Sequence, residues 1–223
     1  QYYWHHVLKQ DRTAPIYSAY TGSQFDDDHI AAFLDNEGVA YTRYDADEEL
    51  YDVVSDALVD GKVIGWFSGR AEFGPRALGA RSILADPRRE DAKELLNSKI
   101  KRRESFRPFA PSILSEHVSE WFELDEPVPF MEKVFPIRKE RHTEIPAVTH
   151  ADGSGRLQSV YQDVAPRYHS LISAFHAKTG VPILLNTSFN ENEPIVNSPE
   201  EAINCFHRTH MDLLVIGNYI ISR

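Results

Sequence analysis

Gly65-Trp66-Phe67-Ser68-Gly69-Arg70-Ala71-Glu72-Phe73-Gly74-Pro75-Arg76-Ala77-Leu78-Gly79-Ala80-Arg81-Ser82 is the stretch from which the architecture is read. An apolar run over 62–67 reads as a buried strand, and the glycine-punctuated remainder is a loop beyond its carboxyl end. That crevice is where open α/β sheets bind ligands. Gly69, Gly74 and Gly79 let the backbone take positive φ, and exposed amides there form an anion-binding nest. The loop is neither a Walker loop nor a G-x-G-x-x-G turn, because it has no Gly-Lys-Ser/Thr and no such glycine spacing. Arg76 and Arg81, with Arg70 as a third, offer planar forks suited to phosphate or carboxylate. The same arginines would serve equally well in a structural network with Glu72, Asp86 or Glu90, and the stretch alone leaves both readings open.

Working outward, the chain has 223 residues, 42% hydrophobic and 26% charged, which is the composition of a globular domain and excludes collagen, coiled coil and a disulfide scaffold. No run approaches the ~18 apolar residues of a membrane span, and the lone Cys205 fits a reducing compartment, so a soluble, cytoplasmic chain is expected. A first residue that is Gln1 rather than Met leads us to expect a fragment. The net charge of -10 argues against membrane and general nucleic-acid affinity. It hides an asymmetry: residues 70–107 hold eleven Lys/Arg against six Asp/Glu, a local +5 that leaves -15 for the rest. A basic segment in an acidic protein is either a solvated helix face or a site for a small polyanion.

The remaining periodicity predicts an α/β open sheet with mixed strand directions. Helices are expected over 28–35 after an Asp-rich cap, over 47–60, from Asp86-Pro87 through Ile100, from Ser115 through Phe122, around Tyr168 to Phe175, and after the Ser198-Pro199-Glu200-Glu201 capping box. Strands are expected over 39–43, 62–67, 109–114 and 182–185, with a hairpin over 148–161 and a terminal pair around Gly217-Asn218. Pro111 suggests that 109–114 is an edge or a bend. Residues 1–25 read as the tail of a preceding domain and a linker, 26–223 as one domain, and the proline-rich stretch 125–146 as a loop excursion outside the core.

Other candidates lie beyond the loop. In the cluster 99–109, some of the charges complement a helix C-terminus, and Arg107, between Phe106 and Pro108-Phe109, where burial without an anion would be costly, is the better ligand candidate. Arg156 is a cation in an otherwise neutral strand, and Asn186, Thr187 and Ser188 place donors at a strand end. His207 and His210 are i, i+3 on a helix without a further ligand at diagnostic spacing, and Cys205 reads as a small core residue. No nucleophile elbow is present. The chemistry indicated is electrostatic handling of phosphates.

The string from Gly65 to Arg88, with Phe106-Arg107-Pro108-Phe109-Ala110-Pro111, Asp152-Gly153-Ser154-Gly155-Arg156-Leu157-Gln158 and Asn186-Thr187-Ser188-Phe189-Asn190, resembles the C-terminal region of the nodulation-type and antibiotic-tailoring O-carbamoyltransferases. The resemblance implies a YrdC-like open twisted mixed sheet with flanking helices. It also implies that ATP, as its Mg2+ complex, and carbamoyl phosphate become carbamoyladenylate. Transfer to a small-molecule alcohol acceptor would occur in a preceding actin-like domain, where a metal is expected; none is expected to be held here. By motif, Arg76, Arg81, Lys101 and Arg107 would bind carbamoyl phosphate or nucleotide phosphates, Arg156 would stabilise the reacting groups, and Asn186 and Ser188 would hold carbamoyl or nucleotide oxygens. Of these, Arg156, Lys101 and Arg76 would be catalytic. A homodimer is compatible with this reading. A threonylcarbamoyladenylate synthase of tRNA modification is the enzymatic alternative and lacks the Arg-Ala-Leu-Gly-x-Arg string; a noncatalytic nucleic-acid module is the other.

Overall fold

The first helix starts where Asp26 accepts the His29 amide at 2.8 Å, and acidic residues in its first turn complement the helix dipole. A computed structural model describes residues 2–11, 18–104, 106–124 and 126–223. In chain order it contains α1 (Asp27–Asn36), β1 (Thr42–Arg43), α2 (Asp47–Val59), β2 (Ile64–Phe67), β3 (Arg81–Ala85), α3 (Ala92–Leu95) running into a π turn (Leu96–Ile100), and β4 (Ala110–Leu114). There follow α4 (Val118–Trp121), β5 (Phe135–Pro136), β6 (Ser154–Gly155), β7 (Gln158–Val160), α5 (Pro166–Thr179), β8 (Ile183–Ser188), α6 (Pro199–Arg208), β9 (Leu213–Ile216) and β10 (Tyr219–Ser222). Gly180 closes α5 in the left-handed conformation at φ 74°, and the Ser198–Glu201 capping box opens α6.

Eight strands form one sheet in the order β1-β10-β9-β2-β3-β8-β4-β7, parallel at β2/β9 and β4/β7 and antiparallel elsewhere, so the expected mixed sheet is present. Helix α5 packs on α2 and over β4 and β8, and α6 lies over β2 and β9. The register brings Phe67 opposite Arg81, Ser82 opposite Ser188, Ala110 opposite Asn186, and Ser112 opposite Gln158. One end of the sheet therefore gathers the close of β2 and β8 with the start of β3, β4 and β7.

Several expectations change. Strand β3 has no precedent in the sequence reading, because Arg81 and Ser82 interrupt its apolar pattern yet are buried with every other residue of the strand. The helix expected from Asp86 starts instead at Ala92: the buried Asp86 carboxylate accepts the Arg88 amide at 2.9 Å and its guanidinium at 2.6 Å, making a turn. Strand β4 is interior, not an edge; Pro111 faces Leu185 of β8 and precedes the first pairing to β7 at Ser112. No hairpin forms over 148–161, because β6 pairs with β5 and β7 pairs with β4. The excursion 125–146, whose first residue lies outside the described set, inserts Val128, Ile137 and Ile145 into the core. Ser115 does not cap a helix; its hydroxyl bonds Glu116 in a 3-10 turn ahead of α4. The strand expected over 39–43 shortens to β1.

Residues 1 and 12–17 of the expected lead-in lie outside the described residues. Residues 18–23 run along the loop after β2, with Phe73 donating to the Ala19 carbonyl at 2.7 Å and Ala71 to Ser23 at 2.8 Å.

Loss of one N-cap side chain costs about 1 kcal/mol. Ser198→Ala is therefore expected to lower the stability of the chain by about that amount, read as a lower urea midpoint at unchanged m-value.

Candidate functional site

The loop between β2 and β3 is organised by one carboxylate. Glu72 Oε1 accepts the amides of Leu78 and Ala80 at 2.6 Å each and of Arg81 at 3.3 Å. The Trp66 indole donates to the Gly79 carbonyl at 2.9 Å, and the Gly79 amide donates to Ser82 Oγ at 3.0 Å. Gly79 has φ +103° and lies so close to the Tyr168 ring that an added Cβ would come within 2.0 Å of it, so only glycine fits.

The two readings of the loop arginines separate cleanly. Arg81 is 1% exposed; it donates to the carbonyls of Ser68, Gly69, Ala80 and Ser23 at 3.0–3.3 Å and lies 3.6 Å over the Phe67 ring. Burial lowers its guanidinium to about 10, so it stays charged at neutral pH. These bonds clamp the loop. Asp86 is taken by Arg88. Arg70 donates to the Gly22 carbonyl at 3.1 Å. Arg76 is exposed, has no ion pair among the described residues, and lines a cleft of about 670 Å³ with Arg156, Phe73 and Phe130.

Arg156 follows a turn in which Asp152 Oδ1 accepts the Ser154 amide at 3.0 Å and hydroxyl at 2.6 Å. It is half-buried, and its Nε is buried without a partner. Burial, then Arg76, then Arg103, hold its guanidinium below the usual range. Arg103, the second of these cations, lines another cleft.

That cleft, about 410 Å³, is lined by Lys101, Arg103, Arg107, Ser188 and Asn190. The π turn and a positive φ of 44° at Arg102 reverse the chain. Arg102, paired with Glu191 at 3.0 Å, and Glu104 also line the cleft, while Lys101 turns inward and is 3% exposed. Its ammonium donates to the Ser188 carbonyl at 2.5 Å and to the Asn190 carbonyl and Oδ1 at 2.7 Å each. Burial and then Arg103 pull Lys101 down to about 7, against the opposing pull of Cys205 and Glu193. Arg103 stacks over Phe109 at 4.8 Å and donates to Asn97 at 2.7 Å; Arg107 pairs with Glu104 at 2.9 Å, both exposed.

Beneath the loop, Asn186 is 1% exposed and its amide donates to Ala77 O, Ser112 Oγ and Gln158 Oε1 at 3.0–3.3 Å. Gln158 donates to the Leu78 carbonyl at 2.7 Å. Asn186 Oδ1 is buried and unpartnered. Of the seven expected residues, Arg76 and Arg156 share one cleft; Lys101, Arg107 and Ser188 share the other; Asn186 and Arg81 support the wall between.

Sequence reasoning missed Arg103, Glu72, Gln158 and Asn190. Arg103 lies in a run of charges that the sequence does not sort into solvated and inward-facing ones; its stack over Phe109 holds it inward. His207 and His210 are exposed, and no cluster of His, Cys, Asp or Glu able to hold a metal occurs among the described residues. No helix among those residues is long and apolar enough to cross a membrane.

Residues 55–223 match the family described as carbamoyltransferase C-terminus. An uncharacterized protein, sll1178 of Synechocystis, is 42% identical over 99% of the chain, which covers 40% of that protein. The nodulation protein NolNO of Sinorhizobium fredii is 48% identical over 85% of the chain and 29% of its own length. The 3'-hydroxymethylcephem-O-carbamoyltransferase of Amycolatopsis lactamdurans is 40% identical over 74% of the chain and 32% of its own length. The chain thus spans well under half of each. Among solved structures, full-length HypF in its phosphate- and nucleotide-bound form superposes with a TM-score of 0.55 at 19% identity, over 77% of this chain and 25% of that one. Sua5 of P. abyssi with L-threonine gives 0.57 at 13% identity, over 79% and 49%. The fold is the YrdC-like open twisted mixed sheet.

Charge-assisted hydrogen bonds contribute about 1.5–3 kcal/mol each. Glu72→Ala is expected to destabilise the chain by at least ~2 kcal/mol in urea unfolding, whereas Arg76→Ala, at an exposed position, should stay within ~0.5 kcal/mol of the parent. Equal stabilities would remove Glu72 as the organiser of the loop.

Proposed function

The chain belongs to the carbamoyltransferase C-terminus family, and from that premise we propose that it activates a carbamoyl group for transfer to an acceptor hydroxyl. In this reading carbamoyl phosphate and ATP meet across the two clefts. One water cleaves carbamoyl phosphate to carbamate and phosphate. A carbamate oxygen then attacks the α-phosphorus of ATP, the bond to the β-phosphate oxygen breaks, and carbamoyladenylate and pyrophosphate result. The acceptor, a small-molecule alcohol, would be served by a part of the protein N-terminal to this chain.

The observation that carries the reading is the run of cations Arg76, Arg156, Arg103 and Arg107 beside Lys101. Among the described residues Arg156 makes no ion pair, its Nε is buried without a hydrogen-bond partner, and Arg76 and Arg103 repel it. A dianion next to a polyanionic nucleotide needs such fixed positive charge, and phosphoryl-type transition states are stabilised chiefly by positioning and electrostatics. The half-apolar wall of Phe73 and Phe130 suits a nucleoside, and the polar cleft around Lys101 and Ser188 suits carbamoyl phosphate. Mg2+ would enter with ATP as part of the substrate. The buried thiol of Cys205 accords with a reducing cytoplasm. The likeness to Sua5 concerns the fold and adds no threonine pocket.

Pyrophosphate release from ATP should depend on carbamoyl phosphate. Arg156→Ala and Arg76→Ala should each lower it by the equivalent of ~2–4 kcal/mol, roughly thirtyfold to a thousandfold. Unchanged release in both variants would remove the site assignment, and no dependence on carbamoyl phosphate in the parent would count against activation by this chain alone. Native-like carbamoylation of an alcohol by this chain alone would contradict the placement of the acceptor elsewhere. Because Lys101 titrates at about 7, its charged form is lost as pH rises through that value, and the affinity for carbamoyl phosphate, read by calorimetry, should fall in the same window.

A further inference from the structure

Arg156 follows a tight turn whose hydrogen bonds end on a histidine. The His150 amide donates to the Ser154 carbonyl at 2.8 Å, and the Gly153 amide donates to the His150 carbonyl at 2.9 Å. Gly153 has φ +81° and passes so close to the His142 ring that an added Cβ would come within 2.6 Å of it. The Ile137 amide donates to the Gly153 carbonyl at 3.0 Å and His142 Nε2 donates to the Ile137 carbonyl at 2.9 Å, which fastens the turn to the chain just after β5.

Side chains complete the turn. Ser154 is 8% exposed, and its single hydroxyl proton goes to Asp152 Oδ1 at 2.6 Å. In the 3.1 Å contact between Ser154 Oγ and His150 Nδ1 the imidazole is therefore the donor. Nδ1 carries the proton of the neutral ring, and Nε2 is the nitrogen that gains or loses one.

We propose that His150 is a positioning residue for Arg156: its Nδ1–H closes the Asp152–Ser154 turn that delivers Arg156 to the larger cleft, and an anion held by Arg156 draws a solvent proton onto His150 Nε2. The inference rests on reading Arg156 as an anion-binding residue. His150 acts through Ser154, two residues ahead of the arginine.

The charged and titratable groups that bear on the imidazole are Asp152 on its own turn, Arg156 after β6 and Lys93 on α3. Burial holds the ring's midpoint below the ordinary imidazole value; Asp152 opposes this, and Arg156 and Lys93 add to it. Asp152 stays ionised, held down first by the Ser154 hydroxyl and then by the Ser154 amide. At neutral pH the ring is thus an uncharged donor. That suits a site in which Arg76 and Arg103 already repel Arg156. A lysine at 150 would donate but add a further cation, and a carboxylate would supply no donor. An anion that neutralises Arg156 removes one of the charges opposing protonation, so the His150 midpoint rises. By linkage, the anion then binds more tightly on the acid side of that midpoint.

The test measures sulfate binding by calorimetry from about pH 5 to 8, where sulfate stays a dianion and any pH dependence is the protein's. The His150 midpoint is followed by NMR with and without sulfate, its signal assigned by loss in His150→Asn. In the parent, saturating sulfate should raise the midpoint by at least about half a pH unit, equal to about a threefold gain in affinity on the acid side, and Arg156→Ala should abolish the shift. His150→Ala should weaken sulfate at about pH 8 by about threefold to tenfold. His150→Asn places an amide donor where Nδ1 was and does not titrate, so it should restore that affinity while losing the acid-side gain. Lys101 titrates in the other cleft, and its contribution is common to the parent and His150→Asn. A parent midpoint indifferent to sulfate, or an Ala variant that binds like the parent, would overturn the proposal. If the Ala variant does not fold, the Asn variant and the parent midpoint decide. Unchanged sulfate affinity in Arg156→Ala would remove the anion reading of Arg156 and the proposal with it. If the midpoint follows sulfate as expected while carbamoyl phosphate leaves pyrophosphate release unchanged, the positioning role stands and the proposed function fails.

Discussion

Two buried cations, Arg81 and Lys101, are held by neutral oxygens, and the site depends on that choice. Arg81 is bound by four main-chain carbonyls and Lys101 by two carbonyls and an amide oxygen. Such acceptors fix a charged group without cancelling it. A carboxylate partner would fix it as well, but the pair would present almost no field to a ligand. The cost is visible in the burial-driven fall of Lys101 to about 7. The acidic residues of the loop region are diverted: Glu72 is occupied by three amides and Asp86 by Arg88.

That arrangement explains the spacing of the central motif in physical terms. Glu72 must sit several residues before Leu78, Ala80 and Arg81 so that the loop can return over it and deliver their amides to one oxygen. Gly79 is required where the backbone passes against Tyr168, and Arg81 where the guanidinium reaches back under the chain to Ser68 and Gly69. Arg76, at the turn between them, is then left pointing outward. Among the described residues it makes no ion pair, and it lines the larger cleft.

The helices α1, α2, α5 and α6 and the inner strands β2, β8 and β9 were legible because their apolar periodicity and caps agree, as at Ser198 and Gly180. Strand β3 was not, because its polar residues look like loop until the carbonyls and hydroxyl that satisfy them are in place. Asp86-Pro87 imitates a helix start; the competing partner, Arg88, is two residues away and decides otherwise. At the site, the residue types and the motifs that bring them together were readable. The division of labour was not: Arg81 and Arg76 look equivalent in sequence, and only burial distinguishes a clamp from a free fork. Arg103 and Asn190 became visible through contacts with residues far from them in the chain or through a turn that no propensity announces.

The close passage of Gly79 over the Tyr168 ring has a mechanical consequence. With no room between loop and helix, the wall carrying Arg76 is as stiff as α5 itself, and displacement of one requires displacement of the other. The Lys101 cleft is fastened differently: the Arg107–Glu104 pair is exposed and cheap to exchange for water, while Arg102–Glu191 is exposed on the arginine side alone. The loop that carries Arg76 is therefore tied to α5, whereas the Arg107–Glu104 pair on the other cleft can open at little cost.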